Sequence, residues 1–177
     1  MVADVADHLA LERVLWIPVG EPPHKPSATV SPSETRLEMV REAVLCDPRF
    51  EVSTLEVERA GPSYAVDTLR ALRAELPDAE LFLIIGADQF RDFNAWRDPE
   101  EIMRHARLAV MDRAGESALM LAGSVPAGHR ALIVPVRRID VSSTEVRAAV
   151  REGRDVGAAL PAGVAAIIER EGLYSDP

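Results

Sequence analysis

Short apolar runs alternate along this chain with stretches whose apolar residues recur at helical spacing. Residues 2–11 (VADVADHLAL) carry that spacing and predict a helix. Val14-Leu15-Trp16-Ile17-Pro18 predicts a short buried strand, closed by Val19-Gly20. Residues 21–30 hold three prolines and no periodicity, so they predict a loop. Ser31-Pro32-Ser33-Glu34 has the form of a helix start, with Ser31 as N-cap, Pro32 in the first helical position and Glu34 completing a capping box. This helix should run to about Cys46 and stop before Pro48. Residues 50–57 (FEVSTLEV) alternate and predict a strand. Gly61-Pro62-Ser63 breaks it, and Ser63 is placed to cap a helix that carries Leu69, Leu72 and Leu76 on one face.

Leu81-Phe82-Leu83-Ile84-Ile85 is short, continuous and apolar, as a strand buried on both faces of a parallel sheet should be. Gly86-Ala87-Asp88 follows it directly. Further elements are a short helix at 99–106, a strand at 108–111, weak helical character over 114–128, a strand at 132–136, and helices at 143–152 and 161–171, the last ending at Gly172. No internal repeat or low-complexity linker divides the chain, so residues 1–177 are expected to form a single domain. Strands separated by helix-length segments imply right-handed βαβ units, hence a three-layer α/β fold with a parallel sheet and helices on both faces. In such sheets ligands bind at the carboxyl ends of the strands.

Composition narrows the class of partner. The 177 residues include 47% hydrophobic and 28% charged positions, ordinary for a globular protein, and no apolar run approaches a membrane span. A formal net charge of -9 argues against a broad nucleic-acid surface, but not against a small anion held in a local basic pocket. The single cysteine, Cys46, excludes a disulfide within the chain and, with no signal peptide in the sequence, points to the cytoplasm. Lys25 is the only lysine; every other basic side chain is arginine, which fits either a general bias toward arginine or a position where a compact ammonium is wanted.

The strand ends supply candidate chemistry. After the first strand, a proline-braced loop sets His24 beside Lys25, able to present two cations to a phosphate or simply to line a surface. After the central strand, Gly86 lets a ligand approach the backbone, and Asp88 suits either two ribose hydroxyls or the capping of the next helix. Trp96 lies in the polar segment Asn94-Ala95-Trp96-Arg97-Asp98, where it is either a stacking plate for a heterocycle or a packing anchor. After the last strand, Ser142 and Glu145 have capping-box spacing. That helix start offers bare amides and a positive dipole end, joined by the hydroxyls of Ser143 and Thr144 and, one turn on, by Arg147. There is no P-loop, no G-x-G-x-x-G, no zinc-spaced Cys/His cluster and no G-x-S-x-G elbow.

The segments PPHK (22–25), GPSYAVDTL (61–69), IIGAD with Trp96 downstream (84–96), DVSSTEVR (140–147) and IIEREGLY (167–174) stand in this order. Together they resemble the bacterial nicotinate-nucleotide adenylyltransferases, of the nucleotidyltransferase superfamily with its Rossmann-like sheet. The resemblance spans essentially Val2 to Tyr174. It implies adenylyl transfer from ATP to nicotinate mononucleotide, giving nicotinate adenine dinucleotide and pyrophosphate in NAD biosynthesis, with Mg2+ accompanying ATP. It assigns Gly86 and Asp88 to the adenosine ribose, and Ser142, Ser143, Thr144 and Arg147 to the ATP phosphates. It gives Trp96 a stacking role on the nicotinate ring, Tyr64 and Ala65 the reception of its carboxylate, and Lys25 and Arg113 cationic contacts near the phosphates.

Two departures stand out. Ala65 takes the place of the usual threonine, which weakens acid-over-amide preference while leaving the backbone amide as donor. The G-G-x-F-D-P-x-H-x-G-H stretch, whose imidazoles bind phosphate in the family, is not in this sequence. Its histidines are His8, His24, His105 and His129, and none are paired at H-x-G-H spacing. No catalytic residue is therefore assigned, and the expected first strand of the sheet is missing. The expectation is a longer gene product and weak activity for the chain as it stands. Alternatives are a non-catalytic nucleotide-binding relative, or an adenylyltransferase acting on nicotinamide mononucleotide or phosphopantetheine. Association into a homo-oligomer stays open.

Overall fold

The computed structural model describes residues 1–23, 31–112 and 130–175. The helical character expected over 114–128, and the candidates His24, Lys25 and Arg113, lie outside the described residues. In chain order the described elements are α1 (Val2–His8), β1 (Val14–Trp16), α2 (Ser33–Val44), β2 (Phe50–Val52), α3 (Ala65–Glu75), β3 (Phe82–Gly86), α4 (Ala87–Arg91), a 3-10 turn (Phe93–Ala95), α5 (Pro99–His105), β4 (Arg107–Asp112), β5 (Ala131–Pro135), α6 (Ser143–Arg151) and α7 (Ala162–Arg170). They gather into two compact units, Met1–Glu12 with Ser63–Arg138, and Arg13–Pro62 with Ile139–Pro177.

The first unit is built on a parallel sheet of order β3-β4-β5. Ile84 pairs with Ala109, and Ala109 with Leu132. Side chains alternate across this sheet with the period of two that strands impose. Leu108 and Val110, with Ile85 of β3, pack toward Val66 and Leu69 of α3, Ile102 of α5, and Phe90 and Phe93. Ala109 and Val134, with Ile84, pack on the opposite side against Val5 of α1. Leu108, Ala109 and Val110 are fully buried, which explains why β4 and its neighbour β3 have nearly continuous apolar sequences. The expected layering, helices on both faces of a parallel sheet, is present in this unit.

Two arginines one turn apart lash α3 to α5. Arg70 grips Glu101 with two hydrogen bonds of 2.6 Å and Asp67 with one of 2.7 Å. Arg73 donates to the carbonyls of Ala79 and His105, both at 2.6 Å, tying the end of α3 to the end of α5. On the other face, Asp4 of α1 accepts from the backbone amide of Arg137 at 3.0 Å and from its guanidinium at 2.9 Å.

In the second unit β1 and β2 pair in parallel, Val14 opposite Phe50. Trp16 meets Phe50 edge to face at 5.6 Å, and α2 packs on β2 and α7. β2 is shorter than the alternation over 50–57 suggests. After Ser53, whose amide still bonds the Trp16 carbonyl, Thr54 turns the chain by binding Glu58 through backbone and side chain. The start of α2 also differs from expectation. Pro32, not Ser31, is the N-cap, and no side chain caps it. The carbonyl of Ser31 is taken by Arg36 Nε at 3.0 Å, while the same guanidinium donates to the carbonyls of Val19 and, at 2.9 Å, Gly20. The Ser31 hydroxyl turns instead to the Tyr174 hydroxyl at 3.5 Å.

Three helices end in the same way. After α6 and α7, Gly153 (φ 65°) and Gly172 (φ 58°) enter the left-handed region. The next residue then bonds back, Arg154 to Ala149 and Leu173 to Ile168, as the Schellman motif requires. α1 ends identically, with Leu11 bonding Ala6, but the left-handed position is Ala10 (φ 50°). A Cβ in that conformation is costly, so Ala10→Gly should stabilise the chain by about 1 kcal/mol. Chemical denaturation checks this; a loss of stability would mean that the Ala10 methyl packs more favourably than its backbone is strained.

The α3–α5 pairing gives a pH signature. Hydrogen bonding to Arg70 is the main reason that Glu101 is held at a pKa of about 2, below its ordinary 4.5. A carboxylate lowered on folding adds stability above its unfolded pKa and loses it as pH falls toward the folded one. Glu101→Gln should therefore be less stable than the parent near neutrality, with the difference closing between pH about 4.5 and about 2. Urea midpoints of both proteins across that range measure it. A constant gap would show that the pair is not what separates them.

Candidate active site

In the first unit, α3 begins without a side-chain cap. Tyr64 is its N-cap, and the Tyr64 carbonyl accepts from the amides of Asp67 and Thr68. The amides of Ala65 and Val66 have no intrahelical acceptor, as for the first turn of any α-helix. Ser63, expected to cap this helix, does not. It lies one position too early, is only 6% exposed, and its Oγ has no hydrogen-bond partner among the described residues.

Trp96 follows the 3-10 turn, its amide bonded to the Phe93 carbonyl at 3.0 Å. Its ring is tilted against Phe93 at 5.6 Å, and Phe93 in turn stacks on Phe90. Trp96 is half-buried, so it is anchored on buried aromatics and still partly open. Tyr64, Ala65 and Trp96 all pack against the same core cluster. Arg97 lies over the Tyr64 ring at 4.6 Å, a cation–π contact. The sequence marked Trp96 by its polar surroundings; neither Ser63 nor Arg97 carried a comparable signal, because one looks like a cap and the other like a surface arginine.

β3 delivers Gly86 and α4. Gly86 is the N-cap of α4, with its amide donating to the Gln89 side chain at 3.1 Å. Asp88, one turn position further, does not cap; it pairs with Arg91 at 2.6 Å and is 91% exposed. Gly86 has φ -79°, open to any residue, and an added Cβ would meet only Gln89 Oε1 at 3.7 Å. Backbone freedom is therefore not why glycine stands here.

In the second unit, α6 opens with the full capping box that the sequence predicts. The Glu145 amide donates to Ser142 Oγ at 3.1 Å, and the Ser142 amide donates to the Glu145 carboxylate at 2.9 Å. The Ser142 hydroxyl also donates to that carboxylate at 2.7 Å. This hydroxyl bond is the chief reason that the Glu145 carboxyl titrates below its ordinary value. The Ser142 hydroxyl is thus already engaged, while Ser143 and Thr144 are exposed at the helix start. Arg147 reaches Thr144 Oγ1 at 3.4 Å, confirming that the two share a face.

Among the described residues, no group of three or more His, Cys, Asp or Glu side chains could hold a metal ion, and no helix is long and apolar enough to cross a membrane.

Comparison with known proteins extends this picture to the whole chain. The sequence profile of the Cytidylyltransferase-like family matches residues 1–149. A Thermus thermophilus protein named "Probable nicotinate-nucleotide adenylyltransferase" is 43% identical over 166 residues, covering 94% of this chain and 85% of its own. A Corynebacterium kroppenstedtii protein of the same name is 40% identical over 172 residues, covering 97% and 81%. The structure of Plasmodium falciparum nicotinic acid mononucleotide adenylyltransferase complexed with NaAD matches with a TM-score of 0.78 at 15% identity, covering 98% of this chain and 88% of that one. The structural likeness shows the Rossmann-like fold, and identity sustained over nearly all of the sequence places the chain in the cytidylyltransferase-like family, among the nicotinate-nucleotide adenylyltransferases.

Proposed function

We propose that the protein transfers the adenylyl group of ATP to nicotinate mononucleotide, giving nicotinate adenine dinucleotide and pyrophosphate, in NAD biosynthesis. The observation that carries this reading is local. A half-open tryptophan ring and an uncapped helix start, Tyr64 and Ala65, sit on one core cluster. That combination suits a flat ring bearing an anionic group. The names of the relatives at 43% and 40% identity support the same substrate.

A phosphate oxygen of the mononucleotide attacks the α-phosphorus of ATP, the new P–O bond forms, and the bond to pyrophosphate breaks. The attacking phosphate is already a nucleophile, so catalysis is mainly positioning and charge stabilisation. Trp96 stacks on the pyridine, and the Tyr64–Ala65 segment receives its carboxylate. Gly86, with no side chain of its own and only Gln89 Oε1 near the place a Cβ would take, leaves room for the ribose of ATP beside Asp88. The start of α6 receives phosphate through its amides, the hydroxyls of Ser143 and Thr144, and Arg147. Ser142 contributes its place in the cap rather than a free hydroxyl. Lys25 and Arg113 are assigned cationic contacts near the phosphates by resemblance alone. Family members generally use a divalent metal with ATP, and Mg2+ here is part of the nucleotide substrate, held mainly by the phosphates.

The two halves of the site should fail differently. Arg147→Ala removes a charge-assisted contact of about 1.5–3 kcal/mol and should weaken ATP use, lowering kcat as well if the contact tightens as pyrophosphate leaves. Trp96→Ala removes stacking of about 0.5–1.5 kcal/mol beyond area burial. It should raise KM for the mononucleotide and leave KM for ATP nearly unchanged. Steady-state kinetics on both substrates separates the two, and one shared signature would overturn the division. Gly86→Ala should keep the melting temperature, since its φ and surroundings accept a methyl, yet raise KM for ATP. Unchanged ATP kinetics would remove Gly86 from the ribose site.

A further inference from the structure

We infer that Arg97 is the specificity-determining residue that distinguishes the acid form of the pyridine mononucleotide from the amide. The inference rests on the assignment of Trp96, Tyr64 and Ala65 to the pyridine ring. The two forms differ by one negative charge, so discrimination needs a cation or an array of donors where the ring substituent lies. Ala65 brings no hydroxyl to the start of α3, and the first-turn amides alone can donate to either form.

Arg97 follows the stacking tryptophan directly, and its guanidinium is held over the ring of Tyr64, the N-cap of α3, at 4.6 Å. The chain then turns through Asp98 in the left-handed region (φ 50°) into Pro99 of α5, which fixes the Trp96–Arg97 pair between two rigid elements. The acidic groups facing Arg97 are Asp67 and Asp98, each at 3.9 Å, beyond hydrogen-bond length. Asp67 is matched instead by Arg70 at 2.7 Å. Arg97 thus keeps donors for a further anion, and 53% of its side chain is exposed. Arg97 and the first-turn amides of α3 are therefore the donors that this end of the helix offers to a carboxylate.

Calorimetric titration of the full chain with nicotinate mononucleotide and with nicotinamide mononucleotide, each with a non-hydrolysable ATP analogue present, tests this. Arg97→Gln should weaken binding of the acid about tenfold and leave the amide within about twofold, with an unchanged melting temperature. Arg97→Lys keeps the positive charge and should retain part of the acid preference. Equal weakening of both ligands, or no change in either, overturns the inference, because a merely structural Arg97 cannot tell the two ligands apart. Trp96→Ala serves as the control on the underlying assignment and should weaken both ligands alike. If it affects neither, or if the parent chain does not bind the acid, the assignment of the ring site fails and the specificity role falls with it.

Discussion

Burial of β4 on both faces is the constraint from which the first unit follows. Leu108 and Val110 commit one face to α3 and α5, and Ala109 commits the other to α1. Its two edges are hydrogen-bonded in parallel to β3 and β5, which satisfies its buried backbone. Parallel strands all end on the same side of a sheet, so whatever leaves them is gathered there. Gly86 and α4 leave β3 at that side, and the buried rings of Phe90 and Phe93 then carry the chain to Trp96. Trp96 is thus positioned by its packing on Phe93 and by the bond from its amide to the Phe93 carbonyl.

The two helix starts assigned to substrates are prepared differently. α6 is closed by a reciprocal box in which Ser142 and Glu145 satisfy each other. A carboxylate sits within that cap, so the phosphate contact proposed there draws on the exposed hydroxyls, the amides and Arg147 rather than on the dipole alone. α3 has no side-chain cap, and its nearest charges are the Asp67–Arg70–Glu101 chain, closed on itself, and the loosely paired Arg97. One start is closed by its own side chains; the other has no side-chain cap.

Much of this was legible in the sequence because it is local. The apolar run at 81–85 predicts strand β3, although only Ile85 of it is buried; the spacing of Ser142 and Glu145 predicts the box, and Gly172 predicts the end of α7. The readings that shifted are those where distant atoms intervene. Ser31 has the chemistry of a cap, but its hydroxyl donates to Tyr174, far along the chain. Ser63 looks like a cap one residue too soon and is buried instead. Residues 50–57 alternate as a strand should, yet Thr54 and Glu58 close a turn after Val52. Arg97 gains its meaning only from the Tyr64 ring, thirty-three positions earlier in the chain. Asp88 kept its place at a strand end and lost its alternative as a cap to Gly86, a residue with no side chain to predict from.

The guanidinium of Arg36 has a consequence for how such chains can vary. By binding the carbonyls of Val19, Gly20 and Ser31 together, it brings the two ends of the intervening stretch onto one side chain. A single substitution at position 36 would therefore release the chain at two places at once, after β1 and at the approach to α2.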